Sequence, residues 1–191
     1  LSKINSTVDY EMLEHFVRDD LKLKASRPMA VLHPLKVVIT NYPEGKVEEL
    51  TALNNNENEE LGSRTLTFSR NIYIDQEDFV EEKPNKHWKR LSKDIEVRLM
   101  HAYFVKCESF VKDETGKVVE VHCTYDPETK AGSGFTGRKV KGTIHWVPAP
   151  YAIEAEVRLY ENIIDEEKGV YNEDGSLNLN PNSLQVVEKA Y

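Results

Sequence analysis

The hydrophobic pattern of this chain changes period once, at Pro28, and does not change back. Before that point Tyr10, Leu13, Phe16, Val17 and Leu21 recur at spacings of three and four. That spacing predicts an amphipathic helix over residues 7–22 with one apolar stripe on a core. Ser6, Thr7 or Asp9 is placed to cap it, and Asp9, Glu11 and Glu14 suit the positive end of its dipole. After Pro28 come short runs rich in β-branched and aromatic residues, at 29–32, 35–39, 66–68, 72–74, 97–99, 103–105, 118–121, 143–147 and 153–159. Turn chemistry separates most of them, as in Asn41-Tyr42-Pro43-Glu44-Gly45 and Asp113-Glu114-Thr115-Gly116. Many short strands at this spacing point to antiparallel sandwiches or barrels and away from a βαβ fold. The length of 191 residues fits two small barrels. Residues 54–60, four Asn and three Glu, read as a loop that cannot pack, and residues 165–181 as a long, poorly ordered connection.

Several kinds of chemistry are missing. No Gly-x-Gly-x-x-Gly follows a strand, and there is no phosphate-loop pattern, no Gly-x-Ser-x-Gly and no His-Glu-x-x-His. Cys107 and Cys123 are too few for a disulfide framework or a four-ligand zinc site, and read as reduced thiols of a cytosolic protein. His122 and Cys123 are adjacent, so on a strand they point to opposite faces and do not share a metal. No apolar run approaches the ~18 residues of a membrane span, and the first residues lack a basic start and an apolar segment. The expectation is a soluble, intracellular chain without a membrane partner.

Charge is the informative part. With 25 Lys and Arg against 33 Asp and Glu the net charge is −8, which taken alone argues against nucleic acid. The distribution argues the other way. Between Lys83 and Lys106 lie seven bases and two acids, and between Lys130 and Gly142 four bases and no acid, whereas residues 154–191 hold nine acids and three bases. At a Debye length of about 8 Å, a phosphate on a basic face hardly feels a distant acidic tail. Aromatic residues sit in or beside the basic stretches: His87, Trp88, Tyr103, Phe104, Phe135, His145 and Trp146. Unpaired bases of single-stranded RNA use such stacking surfaces together with Arg forks. The competing reading puts Trp88 and Trp146 in the core, with the lysines keeping edge strands soluble.

Particular strings narrow the choice. They are Arg27-Pro28-Met29-Ala30-Val31-Leu32-His33-Pro34, Leu61-Gly62-Ser63-Arg64, Asn85-Lys86-His87-Trp88-Lys89-Arg90-Leu91, Glu96-Val97-Arg98-Leu99, and Gly137-Arg138-Lys139-Val140-Lys141-Gly142-Thr143-Ile144-His145-Trp146-Val147. In order and spacing, over nearly the whole chain, they resemble the C-terminal anticodon-binding region of glutaminyl-tRNA synthetases. The related glutamyl enzymes share the architecture without the full last string, and their anticodon-binding domain is the alternative that the resemblance leaves. The resemblance implies two antiparallel β-barrels like the ribosomal-protein barrel that binds 5S RNA, preceded by one amphipathic helix. It divides the chain into the end of a helical tRNA-stem region (1–25), the first part of a proximal barrel (26–82), a distal barrel (83–147) and incomplete return strands (148–191). It also implies a catalytic domain before Leu1, using ATP with magnesium, and a further segment after Tyr191. This fragment itself is then expected to need no cofactor and to be inactive as a ligase. The implied partner is the anticodon loop of tRNA(Gln), not DNA, with a monomeric, cytoplasmic parent enzyme.

The same resemblance suggests roles for individual residues. Arg27 corresponds to the reader of the middle anticodon uracil, and Arg90 to the reader of the third base, a guanine whose O6 and N7 match a guanidinium fork. Lys86 and Lys89 neutralise phosphates, and Arg98 lies near the wobble base, where a second arginine of the family is replaced by Met100. His87 stands where the family often has glutamine, and Glu57 is an unusual acid beside phosphate. Arg138, Lys139 and Lys141 complete the expected RNA-binding set. Taken without the resemblance, the residues also allow a stand-alone RNA-binding barrel or an acidic protein-interaction module.

Overall fold

A computed structural model of the protein describes residues 9–165 and 168–191. It is mainly β with one α-helix, and it forms two compact units, Leu1–Pro28 with Glu49–Leu66, and Met29–Glu48 with Thr67–Tyr191. The helix is α1 (Tyr10–Lys22). The strands are β1 (Pro34–Ile39), β2 (Val47–Leu53), β3 (Ser63–Ser69), β4 (Asn71–Asp75), β5 (Phe79–Val80), β6 (Leu91–Ser92), β7 (Glu96–Leu99), β8 (Phe104–Lys112), β9 (Val118–Asp126), β10 (Thr143–Ile144), β11 (Val147–Pro148), β12 (Ala155–Tyr160) and β13 (Leu184–Ala190).

The first unit holds α1 and most of the β2–β3 pair. The predicted helix start at residues 7 and 8 lies outside the described residues. Asp9 takes the N-cap position through its backbone, its carbonyl accepting from Met12 and Leu13 at 3.1 and 3.3 Å, while its side chain makes no cap. The apolar stripe is present, but no residue of α1 is buried, and Tyr10 and Phe16 are 62% and 63% exposed. Among the described residues nothing covers it, so the expected core contact is absent.

The Asn-rich loop departs from its expectation in the opposite direction. A helix leaves its last four carbonyls without intrahelical donors. Here Asn55, only 1% exposed, donates from Nδ2 to the Lys22 and Ala25 carbonyls at 2.8 and 3.0 Å, and Asn58 donates to the Leu23 carbonyl at 2.8 Å. The Oδ1 atoms of the same residues accept from the Glu57 and Glu60 N–H groups, the latter opening a 3-10 turn at Glu59–Leu61. The loop packs because amide side chains satisfy backbone at both ends.

The second unit contains a curled sheet of seven strands in the order β10-β7-β8-β9-β1-β4-β11. Alternation sets its faces: Leu35, Val37 and Ile39 of β1, Ile72 and Ile74 of β4, and Val97 and Leu99 of β7 are buried. The intervening Glu96 and Arg98 are therefore turned to the other face. The expectation of purely antiparallel pairing is corrected, since β1 pairs parallel with β9 and β10 parallel with β7. A parallel pair needs a long crossover, and residues 40–117 supply one between β1 and β9. One sheet thus takes strands from both 26–82 and 83–147.

β8 and β9 form a hairpin whose turn is closed by Asp113 Oδ1, accepting from the Thr115 and Lys117 N–H groups at 2.9 and 3.0 Å. Cys107 and Cys123 are directly opposite in this hairpin, both buried and both free. Residues 29–32 do not form a strand of their own. Val31 instead exchanges backbone hydrogen bonds with Tyr191 at 2.7 and 2.9 Å, and Tyr191 stacks on Tyr73. The described part of 165–181 is also better organised than expected. It extends the β12–β13 pair through bridges Ile164–Leu179 and Tyr171–Leu177, with Asp174 accepting from the Ser176 N–H at 2.9 Å.

The aromatic residues sort mostly into the core. Tyr42, Phe68, Tyr103 and Trp146 are buried and meet Tyr125 and one another in largely edge-on contacts at 5.1–5.2 Å. The indole of Trp146 donates to the Met100 carbonyl at 2.8 Å. Trp146, Tyr103 and Phe104 therefore cannot serve as stacking platforms, as the core reading held for Trp146. At the rim of this cluster Glu48 accepts from the Tyr103 hydroxyl at 2.8 Å and pairs with Lys130. Burial pushes the Glu48 carboxyl up, but the hydrogen bonds from Lys130 and Tyr103 outweigh it and hold it below its ordinary range. The same burial and the neighbouring carboxylate push the Tyr42 phenol to about 12.

Candidate nucleic-acid interface

Two basic segments some fifty residues apart in sequence are laid side by side by one short pairing. β10 runs parallel to β7, with the Arg98 N–H donating to the Gly142 carbonyl at 2.9 Å and the Met100 N–H to the Ile144 carbonyl at 3.0 Å. This fixes residues 139–142 against the loop that leads into β6. A cavity of about 240 Å³ opens between them, and Lys83, Lys86, Lys89, Lys139 and Lys141 all line it. Trp88 is half-buried in its wall, its indole N–H turned to the Leu91 carbonyl, and Asp94 and Glu96 are the acids present. Five ammonium groups around one concave surface form a site for polyanions.

The glycine ending the Lys-Val-Lys-Gly string makes this approach possible. A Cβ on Gly142 would lie 1.4 Å from the Lys89 carbonyl oxygen. The sequence contained the signal, a glycine at the entry to a strand, which often marks close backbone approach.

His87 is exposed on the turn that Asn85 closes by accepting from the His87 N–H at 2.9 Å. It does not line the lysine cavity. Arg90 faces a second concavity of about 320 Å³ shared with Asp78, Thr143 and His145. Its Nε lies 3.3 Å from Asp78 Oδ1, and its Nη1 donates to the Glu77 carbonyl at 3.0 Å. Burial pushes the Asp78 carboxyl above its ordinary range, with the Arg90 charge opposing that shift.

The other arginines are more heavily engaged. Arg98 lies over the Phe104 ring at 4.3 Å and donates to the Thr129 carbonyl at 3.2 Å, and burial draws its pKa down from the ordinary value. Arg138 clamps Glu96, with Nε 2.8 Å from Oε2, and pairs with Asp126 at 2.8 Å while facing Phe104 and Phe135. The hydrogen bonds it donates to those two carboxylates push its pKa up. Neither Glu96 nor Asp126 was recognisable as its partner from the sequence, because forty-two residues separate Glu96 from Arg138.

Arg27 belongs to the first unit. Its Nη2 donates to the Lys22 carbonyl at 2.7 Å, its own carbonyl accepts from Arg64 at 3.0 Å, and its Nη1 is 3.3 Å from Glu57. Glu57 also pairs with Lys22 at 3.2 Å, and that bond above all holds the Glu57 carboxyl below its ordinary range. The unusual acid of the Asn-rich loop thus meets the arginine expected to read a base. Among the described residues no group of three or more His, Cys, Asp or Glu side chains could hold a metal ion, and no helix is long and apolar enough to cross a membrane.

Comparison with known proteins supplies the deciding observation. Residues 25–126 and again residues 143–191 match the family described as tRNA synthetases class I (E and Q), anti-codon binding domain. The chain belongs to that family of anticodon-binding domains. It is 56% identical over 190 residues to a glutamine--tRNA ligase of Clostridium perfringens, covering 97% of this chain and 34% of that protein. A glutamine--tRNA ligase of Clostridioides difficile is 53% identical over 98% of the chain, and one of Bradyrhizobium diazoefficiens 47% identical over all of it, each again matched over 34% of its own length. This anticodon-binding chain spans about a third of the length of the curated relatives it matches. Of the residues around the lysine-lined cavity, Lys83, Lys86 and Lys89 lie in the first matched region, and Lys139, Lys141 and Gly142 lie between the two.

Proposed function

We propose that this chain reads the anticodon loop of tRNA(Gln) as part of a glutamine--tRNA ligase. The observation that carries the reading is the convergence of Lys83, Lys86, Lys89, Lys139 and Lys141 on one cavity in a chain of net charge −8. These lysines take phosphates, Arg90 and Arg27 take bases, and His87 stacks at the exposed edge. Arg98 and Arg138 support the floor beneath them, because Arg98 lies against Phe104 and donates to the Thr129 carbonyl and Arg138 is held by Glu96 and Asp126. The parent enzyme joins glutamine to tRNA with ATP and magnesium in a domain outside this chain, and works in the cytoplasm as a monomer. We propose that the two-barrel arrangement holds in the longer protein.

The test is salt-dependent binding of tRNA(Gln) by the full-length protein that contains this chain. Log affinity is expected to fall linearly with log salt, and each Lys→Ala change at Lys86, Lys89, Lys139 or Lys141 to reduce the slope by about 0.7–1. A quadruple variant with unchanged slope would remove the cavity from the interface.

A further inference from the structure

The concavity around Arg90 holds an anion as well as a cation. A guanidinium has five N–H donors. One of Arg90's faces Asp78 and one the Glu77 carbonyl, which leaves three on Nη1 and Nη2. Asp78 is the more enclosed partner, its side chain 15% exposed against 47% for Arg90. Among the described residues Arg90 is its one ion-pair partner. Asp75 lines the same wall but its oxygens are taken by the N–H groups of Leu32, His33 and Glu77. Glu77 also lines the pocket, but Asp78 is the carboxylate held beside the Arg90 guanidinium.

We propose that Asp78 and Arg90 together read one guanine, with the guanidinium donating to O6 and N7 and the Asp78 carboxylate accepting from N1–H and the N2 amino group. The inference rests on the RNA reading above and adds Asp78 as a specificity-determining residue. Guanine carries an acceptor, O6, directly beside two donors, N1–H and N2–H. A cation and an anion 3.3 Å apart are the complement of that edge. Adenine reverses both positions: its N6 amino group would face the guanidinium, and the N1 lone pair would face the carboxylate. The pocket thus contains a repulsive element against adenine as well as an attractive one for guanine. Its volume of about 320 Å³, at the small end of ligand pockets, suits a single base.

The experiment uses the full-length protein and tRNA(Gln) assembled with guanine, inosine or adenine at the third anticodon position. Inosine keeps O6, N7 and N1–H and lacks only the N2 amino group. Wild-type protein is expected to bind the inosine RNA about tenfold more weakly than the guanine RNA, and the adenine RNA more weakly still. D78N should bind guanine and inosine RNAs alike, while E77Q keeps the inosine penalty. Equal wild-type affinity for guanine and inosine, with adenine still rejected, overturns the Asp78 role and leaves the RNA reading standing. Retention of the inosine penalty in folded D78N also overturns it. Absence of salt-dependent RNA binding by the wild type overturns both readings. Should D78N fail to fold, the wild-type inosine comparison decides alone.

Discussion

Gly142 packs so tightly on Lys89 that a single added carbon would sit 1.4 Å from the Lys89 carbonyl oxygen. Backbone cannot yield as the tip of a flexible side chain does. Gly142→Ala is therefore expected to destabilise the protein by about 1–3 kcal/mol, as overpacking does elsewhere. It should also spread the two basic segments. Thermal melting and RNA titration check this together: RNA affinity should fall at temperatures where the variant is still fully folded.

Neighbouring residues of the same basic string are expected to behave differently. Arg138 is held by Glu96 and Asp126, whereas Lys139 lines the cavity. Arg138→Gln should lower the melting temperature and leave the salt slope of RNA binding unchanged. Lys139→Gln should leave the melting temperature nearly unchanged and reduce the slope by about 0.7–0.9. Matching slope losses in both variants would contradict the assignment of Arg138 to the framework.

Glu57 pairs with both Arg27 and Lys22, so on the proposed reading it competes with RNA for them. Both pairs are exposed and contribute little to stability. Glu57→Asn is expected to leave the melting temperature near wild type and to raise RNA affinity roughly threefold at low salt, with the gain fading as salt rises. A loss of affinity would show that Glu57 positions Arg27 productively.

Glu48 gives a pH prediction. Its folded-state pKa lies below the unfolded value of roughly 4.3, so its contribution is present above that value and is lost as pH falls through the folded pKa. Glu48→Gln should lower the melting temperature at pH 7. The gap to wild type should close as pH is lowered from about 5 toward the folded pKa. A gap that stays constant down to pH 3 would mean that ionisation of Glu48 is not what matters.

Much of this molecule could be read locally. The helical stripe, the short strands and the two basic stretches are periodic or compositional features, and α1, β1, β4, β7 and β9 appear within a few residues of their expected places. What could not be read depends on pairing over long distances. Nothing near residues 36–39 announces a parallel partner at 120–123. Asn54, Asn55 and Asn58 resemble disorder by composition, yet their amides bond the end of α1 and the loop itself. In the site, the cations were recognisable because they cluster along the chain. Their counter-charges were not: Glu57 is thirty residues from Arg27, and Asp78 reaches Arg90 across one short strand and the loop that follows it.

The mutual hydrogen bonds between Val31 and Tyr191 set an order of events in synthesis. Closing a loop that long costs chain entropy before any contact repays it. A ribosome releases Val31 early and Tyr191 much later, so the β1 side of the sheet stays open while the intervening strands emerge. Nascent chains stalled before this last segment should be open to proteolysis near residues 29–33, and completion of the segment should close that window.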